Sequence, residues 1–308
     1  MIKLGLGTAT AILSLQLVSC SVDLGSGVGI PTFRSGFVYV RRDDRNVYLA
    51  DDSAPSIPIA VTTGGGNRMP ALSRDASKIV FVHGSGANAE IDTISVNAAS
   101  GIAPTALVTS DASHSNFRNP VFSPDGSYIV FTYDSSGSSL LGRVSVNGGA
   151  IQRIIGRPSR SYASPSFFPG GSQLLAASGP SAFSYDSLEQ VALGGGAVVI
   201  TTLPNQLSGL ANRAQISPDG NQVALDVLSN GASRLYGYNL MGGSFHRLVF
   251  YPAAPSNETF PTWVGISQVG YSSDYGGNDS VYVVASSATD GSGALKVPSA
   301  IEPFYAPY

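Results

Sequence analysis

Four arginines recur at similar places along the sequence, and their side chains could bind an anion. A guanidinium offers a planar fork of N–H donors that matches the oxygens of a carboxylate or a phosphate. Each of the four stands one to five residues before a repeated anchor position: Arg68, Arg118, Arg160 and Arg213. If the fold brings the anchors together, we expect these arginines to ring one opening and to form an anion or peptide-carboxylate site.

Polar and aromatic residues stand beside these arginines and would complete such a site. Asn119 and Asn212 adjoin two of them directly, and Tyr162 follows a third by two positions. A simpler interpretation stays open, in which each arginine pairs with a local acid such as Asp111 or caps a neighbouring unit of the repeat.

Acidic residues recur as well, but their spacing favours a structural role. Asp75, Asp125 and Asp219 each occupy a turn of the Ser-Pro-Asp-Gly type. In such turns the carboxylate accepts backbone N–H groups, proline fixes φ, and glycine takes the strained position. The loop 274–279 carries three side chains with oxygens that suit Ca²⁺ but lacks the ligand spacing of an EF-hand. We expect turns at all four places and no metal.

Motifs of catalysis are missing from the sequence. It has no G-x-S-x-G nucleophile elbow and no Walker A loop. His83, His114 and His246 fall at unrelated positions of the repeat, so no Ser-His-Asp set can be argued from spacing. We expect a protein that is not an enzyme and holds no cofactor. An enzyme with a metal site, or a binder of small molecules or saccharides, is the alternative.

The first twenty residues have the pattern of a signal peptide. Lys3 precedes an apolar run that is too short to span a bilayer comfortably. Residues 17–20 (Leu-Val-Ser-Cys) resemble the bacterial lipobox, which implies lipid attachment at Cys20, and Ser21 after it favours the outer membrane. An ordinary secretory signal with a chance cysteine is the other interpretation. We expect a signal peptide over 1–20 and a Gly/Ser-rich tether over 21–35.

Composition narrows the class of the mature protein. The 308 residues include 17 basic and 20 acidic ones, for a net charge of −3. A nucleic-acid binder needs a basic surface, so this balance argues against one. Hydrophobic residues make up 43% of the chain, enough for a sizeable core, and the single cysteine excludes an internal disulfide.

Five segments of the sequence align with one another and define a repeat. They span 68–82, 118–132, 163–177, 212–226 and 259–273, with gaps of 50, 45, 49 and 47 residues between their anchors. Each holds two short apolar runs joined by a turn, and two more runs follow, joined by Asn-Gly-Gly or Met-Gly-Gly in the second and fourth units. Four antiparallel strands per unit of about 45 residues are typical of a propeller blade. The anchor positions are Pro70, Pro120, Pro165, Ala214 and Pro261.

Six blades account for the length, and the sixth must combine the two ends of the chain. Residues 36–61 supply three strands without an obvious inner one. Residues 303–307 resemble 120–124, so we expect the C-terminal residues to form that inner strand and to close the ring; residues 31–33 are the competing choice. Phe122, Phe167 and Trp263 share an apolar position after their anchors, and we expect Trp263 in the core.

The repeat pattern (R/N)-x-P-x-F-S-P-D-G-x-x-(I/V)-x-F resembles the WD40-like Pro-Asp repeats of TolB-like six-bladed β-propellers. The Ser-Pro-Asp-Gly turn is intact at 123–126 and 217–220 and degenerate at 73–76 and 168–171. The resemblance covers residues 36–308 and implies an all-β propeller of four-stranded blades. TolB itself carries an α/β domain before its propeller, which has no counterpart here. By analogy, the resemblance implies peptide or protein partners.

Together these features predict a lipid-anchored protein of the bacterial cell envelope, with its propeller outside the cytoplasm. We expect it to bind or scaffold a protein partner, and to contact the membrane through its N-terminal lipid but no nucleic acid. The expected contact surface is the opening ringed by the four arginines.

Overall fold

The structure is a computed structural model that describes residues 33–98, 102–204, 209–251 and 256–306, with only the main chain at Ala211. The signal peptide predicted over 1–20 and the lipid attachment at Cys20 lie outside these residues. In the part that the structure describes, no helix has the length and apolar character needed to cross a membrane.

Six four-stranded antiparallel sheets make up the molecule, as the repeat predicts. We number them as blades 1 to 6 and give their strands from the inside outwards. Blade 1 has β24 (Ala300–Ala306), β1 (Gly36–Arg41), β2 (Val47–Asp51) and β3 (Ile59–Ala60). Blade 2 has β4 (Asn67–Leu72), β5 (Lys78–His83), β6 (Glu90–Ser95) and β7 (Thr105–Thr109). Blade 3 has β8 (Ser115–Phe122), β9 (Tyr128–Ser135), β10 (Ser138–Ser145) and β11 (Gln152–Ile154).

The other three blades follow the same order. Blade 4 has β12 (Ser161–Phe167), β13 (Gln173–Gly179), β14 (Ser187–Ala192) and β15 (Ala197–Thr202). Blade 5 has β16 (Leu210–Ile216), β17 (Gln222–Ser229), β18 (Ala232–Asn239) and β19 (Ser244–Arg247). Blade 6 has β20 (Glu258–Val264), β21 (Gln268–Ser273), β22 (Ser280–Ala285) and β23 (Ala294–Pro298). Two short 3₁₀ turns cover Gly86–Asn88 and Tyr275–Gly277.

The C-terminal strand closes the ring, as expected from its likeness to the other inner strands. β24 pairs antiparallel with β1, for example Phe37 with Tyr305. Every inner strand contacts the inner strands of its two neighbours, including β24 with both β20 and β4. The competing choice, residues 31–33, is wrong for the inner strand, because β24 fills that place. Phe33 is instead buried in the core beside blades 1 and 2.

Each inner strand bulges at its anchor. The pairing register shifts there in all six blades. In five of them the residue before the proline has a φ near +50°, whereas Arg213, which precedes Ala214, does not. A following proline disfavours the right-handed helical conformation, and a bulge lets one residue turn out of the strand. The five residues are Met69, Asn119, Ser164, Phe260 and Glu302.

The recurring aspartates hold turns, as predicted. Asp125 accepts hydrogen bonds from the Ser123 hydroxyl at 2.6 Å and the Ser127 N–H at 3.1 Å. Asp75 and Asp219 accept the equivalent bonds. These donors lower the pKa of all three carboxyls. The turns therefore serve the fold, one to a blade.

The core lies within and between the blades. Strand residues alternate between the two faces of a sheet, and each sheet packs against the next one around the ring. Phe122 and Trp263 are each 3% exposed, so Trp263 is a core residue as expected.

Candidate functional site: the central channel

Six residues that precede the anchors form a ring across the channel, which we call the first ring. Glu302 accepts the Met69 N–H, and Arg213 donates from Nη1 to the Pro303 carbonyl at 2.6 Å. These bonds join different blades, so the side chains fill the channel at this level. The first ring consists of Met69, Asn119, Ser164, Arg213, Phe260 and Glu302.

Residues that follow the anchors form a second level, which we call the second ring. Val121, Ser166, Gln215 and Phe304 line a narrow space next to the first ring. The same four residues also line a wider depression on the side of the Ser-Pro-Asp-Gly turns. The channel therefore has a charged level near the start of the inner strands and a more apolar level near the turns.

Arg213 lies inside the channel rather than at its opening. Its residue surface is 6% exposed, and its guanidinium lies 5.2 Å from the centroid of Phe260 and 5.8 Å from that of Phe304. Burial lowers the pKa of Arg213 to about 10, although the negative charges of Glu302 and Asp226 oppose the shift. A guanidinium so placed retains its charge at neutral pH but is poorly solvated.

Glu302 is the acidic member of the first ring, and sequence analysis missed it. One carboxylate oxygen lies 3.6 Å from Nη1 of Arg45, whose side chain is 47% exposed. Burial raises the pKa of Glu302, while the Met69 N–H and the charges of Arg45, Arg213 and Arg68 pull it down. Its signal in the sequence is its place before Pro303, equivalent to Asn119 before Pro120.

Arg68 and Arg118 differ in how their charge is compensated. Arg118 makes a bidentate ion pair with Asp134 at 2.6 and 3.1 Å and is 9% exposed. Arg68 donates from Nε to the Gly84 carbonyl at 3.1 Å, and no carboxylate of a described residue lies within 4 Å of it. Burial lowers the pKa of Arg68. The negative charge of Glu302 raises it, and repulsion from Arg118 and Arg45 lowers it further.

Two predicted members of the site belong elsewhere. Arg160 forms an ion pair with Asp186 within blade 4 and reaches toward Glu189. Tyr162 donates its hydroxyl proton to Glu189 at 2.7 Å, and burial together with that bond raises the pKa of Tyr162 to about 12. The structure thus keeps Arg160 and Tyr162 in an ion-pair network inside one blade.

The two asparagines do lie at the channel. Asn119 donates from Nδ2 to the Asn212 carbonyl at 3.3 Å, a contact from blade 3 to blade 5. Asn212 donates from Nδ2 to the buried Asp226 at 2.7 Å. Asn119, Asn212 and Arg213 are therefore together inside the channel, whereas Arg68 and Arg118 lie near each other.

Local acids do compensate two of the arginines, as the simpler interpretation held, but the acid is not Asp111. Asp111 contacts the ring of His114 at 3.0 Å.

We call the channel opening at the start of the inner strands the strand-start mouth. It is formed by Arg45, Arg68 and Arg118, and the ring of Phe183, which is 65% exposed, lies against the guanidinium of Arg118.

The carboxylates of loop 274–279 already have partners. Asp274 accepts the Asn257 N–H at 2.6 Å and its Nδ2 at 2.8 Å, and Asp279 pairs with Arg42. Nowhere in the described ranges do three His, Cys, Asp or Glu side chains gather in a way that could hold a metal ion.

Solved structures share this architecture. TolB from Acinetobacter baumannii is 19% identical, over 90% of this chain and 67% of its own, with a TM-score of 0.67. The structure of a nidogen/laminin complex contains a chain that is 11% identical; the match covers 88% of this chain and 98% of that one, with a TM-score of 0.66. Oligogalacturonate lyase from Vibrio parahaemolyticus is 16% identical; the match covers 82% of this chain and 74% of the lyase, with a TM-score of 0.53.

At these identities the likeness shows the fold alone, which is a TolB-like six-bladed β-propeller. No protein-family model matches the sequence. No curated protein matches it either.

Proposed function

We propose that this chain is a lipid-anchored propeller of the bacterial cell envelope that binds a protein partner through the strand-start mouth. The lipid would be carried by Cys20, most simply in the outer membrane. The proposal includes no enzymatic step.

The single observation that carries this proposal is that the guanidinium of Arg68 has no carboxylate partner. Arg118 and Arg160 are neutralised within their blades, whereas Arg68 has one carbonyl partner and an Nη2 without a hydrogen bond to the described residues, and two neighbouring cations oppose the attraction of Glu302. A carboxylate from a partner would supply the missing acceptor, and the exposed ring of Phe183 adds apolar area beside it. A chain with the same fold in the structure of a nidogen/laminin complex supports a protein-binding role for such a propeller.

Crosslinking and pull-down from native membranes test the proposal. The lipidated protein is compared with Cys20→Ala, and we expect the variant to lose both its membrane fraction and most of its captured partner. Arg68→Glu should reduce recovery of that partner at least about tenfold, because a buried carboxylate would then face a like charge.

Arg153→Glu is the matched control, since Arg153 is exposed on the outer strand of blade 3. It should leave recovery unchanged. Equal recovery with Arg68→Glu and with the unmodified protein would remove the strand-start mouth from consideration, and membrane retention of Cys20→Ala would remove the lipid anchor.

A further inference from the structure

The wider depression at the other end of the channel has apolar walls supplied by five of the six blades, and blade 2 contributes Arg74. We call it the turn-side depression, and it opens to solvent. Apolar pockets with a few converging polar groups are the usual form of small-molecule sites. Its apolar lining comes from Phe122, Phe167, Phe168, Ile216, Trp263 and Phe304.

Gln215 places an unpaired donor in this depression. The residue is 8% exposed, and its Oε1 accepts the Trp263 N–H at 2.9 Å. That bond fixes the orientation of the amide, and its Nε2 donates to no described residue. Ser166, 7% exposed, accepts the Ile216 N–H at 3.2 Å, which leaves its own proton available. Both side chains are largely shielded from solvent, so a ligand oxygen here would gain hydrogen bonds in a place with little competing water.

A cation lies directly behind these donors. Gln215, Ser166 and Arg213 all line the narrow space between the two rings. The guanidinium of Arg213 donates one hydrogen bond to the described residues, from Nη1 to the Pro303 carbonyl, while its main-chain N–H donates to Asp226. Its Nε and Nη2 therefore remain for an acceptor that enters from the depression.

The remaining charge of the lining has the same sign. Arg74 stands at the rim of the depression, is exposed, and makes no hydrogen bond or ion pair with another described residue. Among the described residues, no acidic side chain lines the depression or the narrow space. The unpaired groups of Gln215, Ser166, Arg213 and Arg74 are donors, so the complementary ligand presents acceptors and a negative charge.

We propose that the turn-side depression binds a small apolar carboxylic acid, with the carboxylate held by Arg213, Gln215 and Ser166 and the apolar body against Trp263 and Phe304. This site lies at the opposite end of the channel from the strand-start mouth and does not depend on the proposed protein partner. The carboxylate could belong to a free aliphatic acid or to the C-terminus of a peptide that ends in an apolar residue.

The chain contains a single tryptophan, Trp263, which lines the depression and serves as the probe. Bromine quenches tryptophan fluorescence only at contact, so titration of the purified full chain with 8-bromooctanoate should quench Trp263 in a saturable manner. 8-Bromooctanol has the same apolar body without the charge, and it should quench far more weakly at equal concentration.

Two variants test the residues that hold the carboxylate. Gln215→Leu keeps the volume of the side chain but removes the amide, and we expect about tenfold weaker binding of 8-bromooctanoate. Arg213→Lys should weaken binding at least as much; if that variant fails to fold, Gln215→Leu still decides the question. Arg153→Ala is the control variant and should bind as the unmodified chain does.

Displacement distinguishes the two sources of the carboxylate. Unbrominated octanoate should restore the fluorescence, and a pentapeptide ending in leucine should do so only if a peptide terminus is the source. The amidated pentapeptide should displace nothing. Equal quenching by the bromo acid and the bromo alcohol, quenching that octanoate does not reverse, or unchanged affinity in Gln215→Leu would each overturn the proposal. None of these results depends on partner capture by Arg68.

Discussion

Single residues in the channel differ in how far their charges are compensated. Arg118 shares two hydrogen bonds with Asp134, whereas Arg68 relies on one carbonyl. Removing one member of a paired, largely buried set leaves its partner unsatisfied, while removing an unpaired cation does not. The two arginines occupy equivalent places before their anchors, so the difference lies in their surroundings.

Arg118→Ala should therefore lower the free energy of unfolding by about 2 kcal/mol, because the partly buried carboxylate of Asp134 would be left without the guanidinium that it pairs with. Arg68→Ala should change it by no more than about 0.5 kcal/mol. Urea denaturation of both variants measures the difference. Equal losses would mean that Arg68 has a compensating partner in solution.

The repeated turns allow a second test at the same scale. Two turn glycines differ in φ: Gly126 has a φ of +69°, whereas the φ of Gly170 is not positive. A Cβ added at either position would meet open space, with no contact within 4 Å. Gly126→Ala should cost about 1 kcal/mol of stability, because an L-residue is disfavoured in the left-handed region. Gly170→Ala should be neutral or stabilise slightly. Thermal unfolding of the pair isolates the effect of φ, and similar melting temperatures would contradict it.

Residue-level prediction from sequence succeeded where a side chain acts within its own turn and failed where it acts across blades. Asp75, Asp125 and Asp219 bind donors two residues away, so local spacing was sufficient. Glu302 contacts Met69, 233 positions earlier in the chain. The spacing of the arginines reveals neither the bulge that turns these residues into the channel nor the acids Asp186 and Glu189 that Arg160 meets in blade 4.

Among the elements, the C-terminal strand has the largest structural role for its length. β24 completes blade 1 by pairing with β1 and contacts β20 and β4 on either side. It also supplies Glu302 to the first ring and Phe304 to the second. The likeness of residues 303–307 to 120–124, each with a proline at its first and fifth positions, made its place predictable.

Ending the chain at Ser299 should abolish cooperative unfolding and promote association, because β1 would present an unpaired inner edge. Circular dichroism during heating and light scattering measure the two effects. Adding a synthetic peptide of residues 299–308 in trans should restore part of the transition. A truncated chain with an unchanged melting temperature would show that β24 is dispensable for the ring.

Across the whole molecule, buried carboxylates make stability depend on pH. Burial raises the pKa of Glu302 despite the charges of Arg45 and Arg68 from blades 1 and 2 and of Arg213 from blade 5. A group with a raised folded pKa contributes most below its unfolded value, and the contribution is lost as pH rises through the folded pKa. The turn aspartates have lowered pKa values, so the stability that they contribute is lost as the pH falls, in more acidic solution.

The melting temperature should therefore fall as pH is raised from 4.5 to 8, and Glu302→Gln should flatten that dependence by removing the titrating group. Melting curves at several pH values for both proteins measure the change. Glu90→Gln is the control, since Glu90 lies on the third strand of blade 2 away from the channel. Parallel pH profiles for Glu302→Gln and the unmodified chain would show that Glu302 keeps an ordinary pKa.

Ring closure by the last strand also fixes when the protein can mature. Phe37 pairs with Tyr305, which is 268 positions later, so blade 1 stays incomplete until β24 has been synthesised and has reached the compartment where the propeller folds. Long-range pairing of this kind is slow, because the loop must close before its contacts form. During that interval the nascent protein exposes the edge of β1, which makes this strand the expected binding site for a chaperone of the receiving compartment.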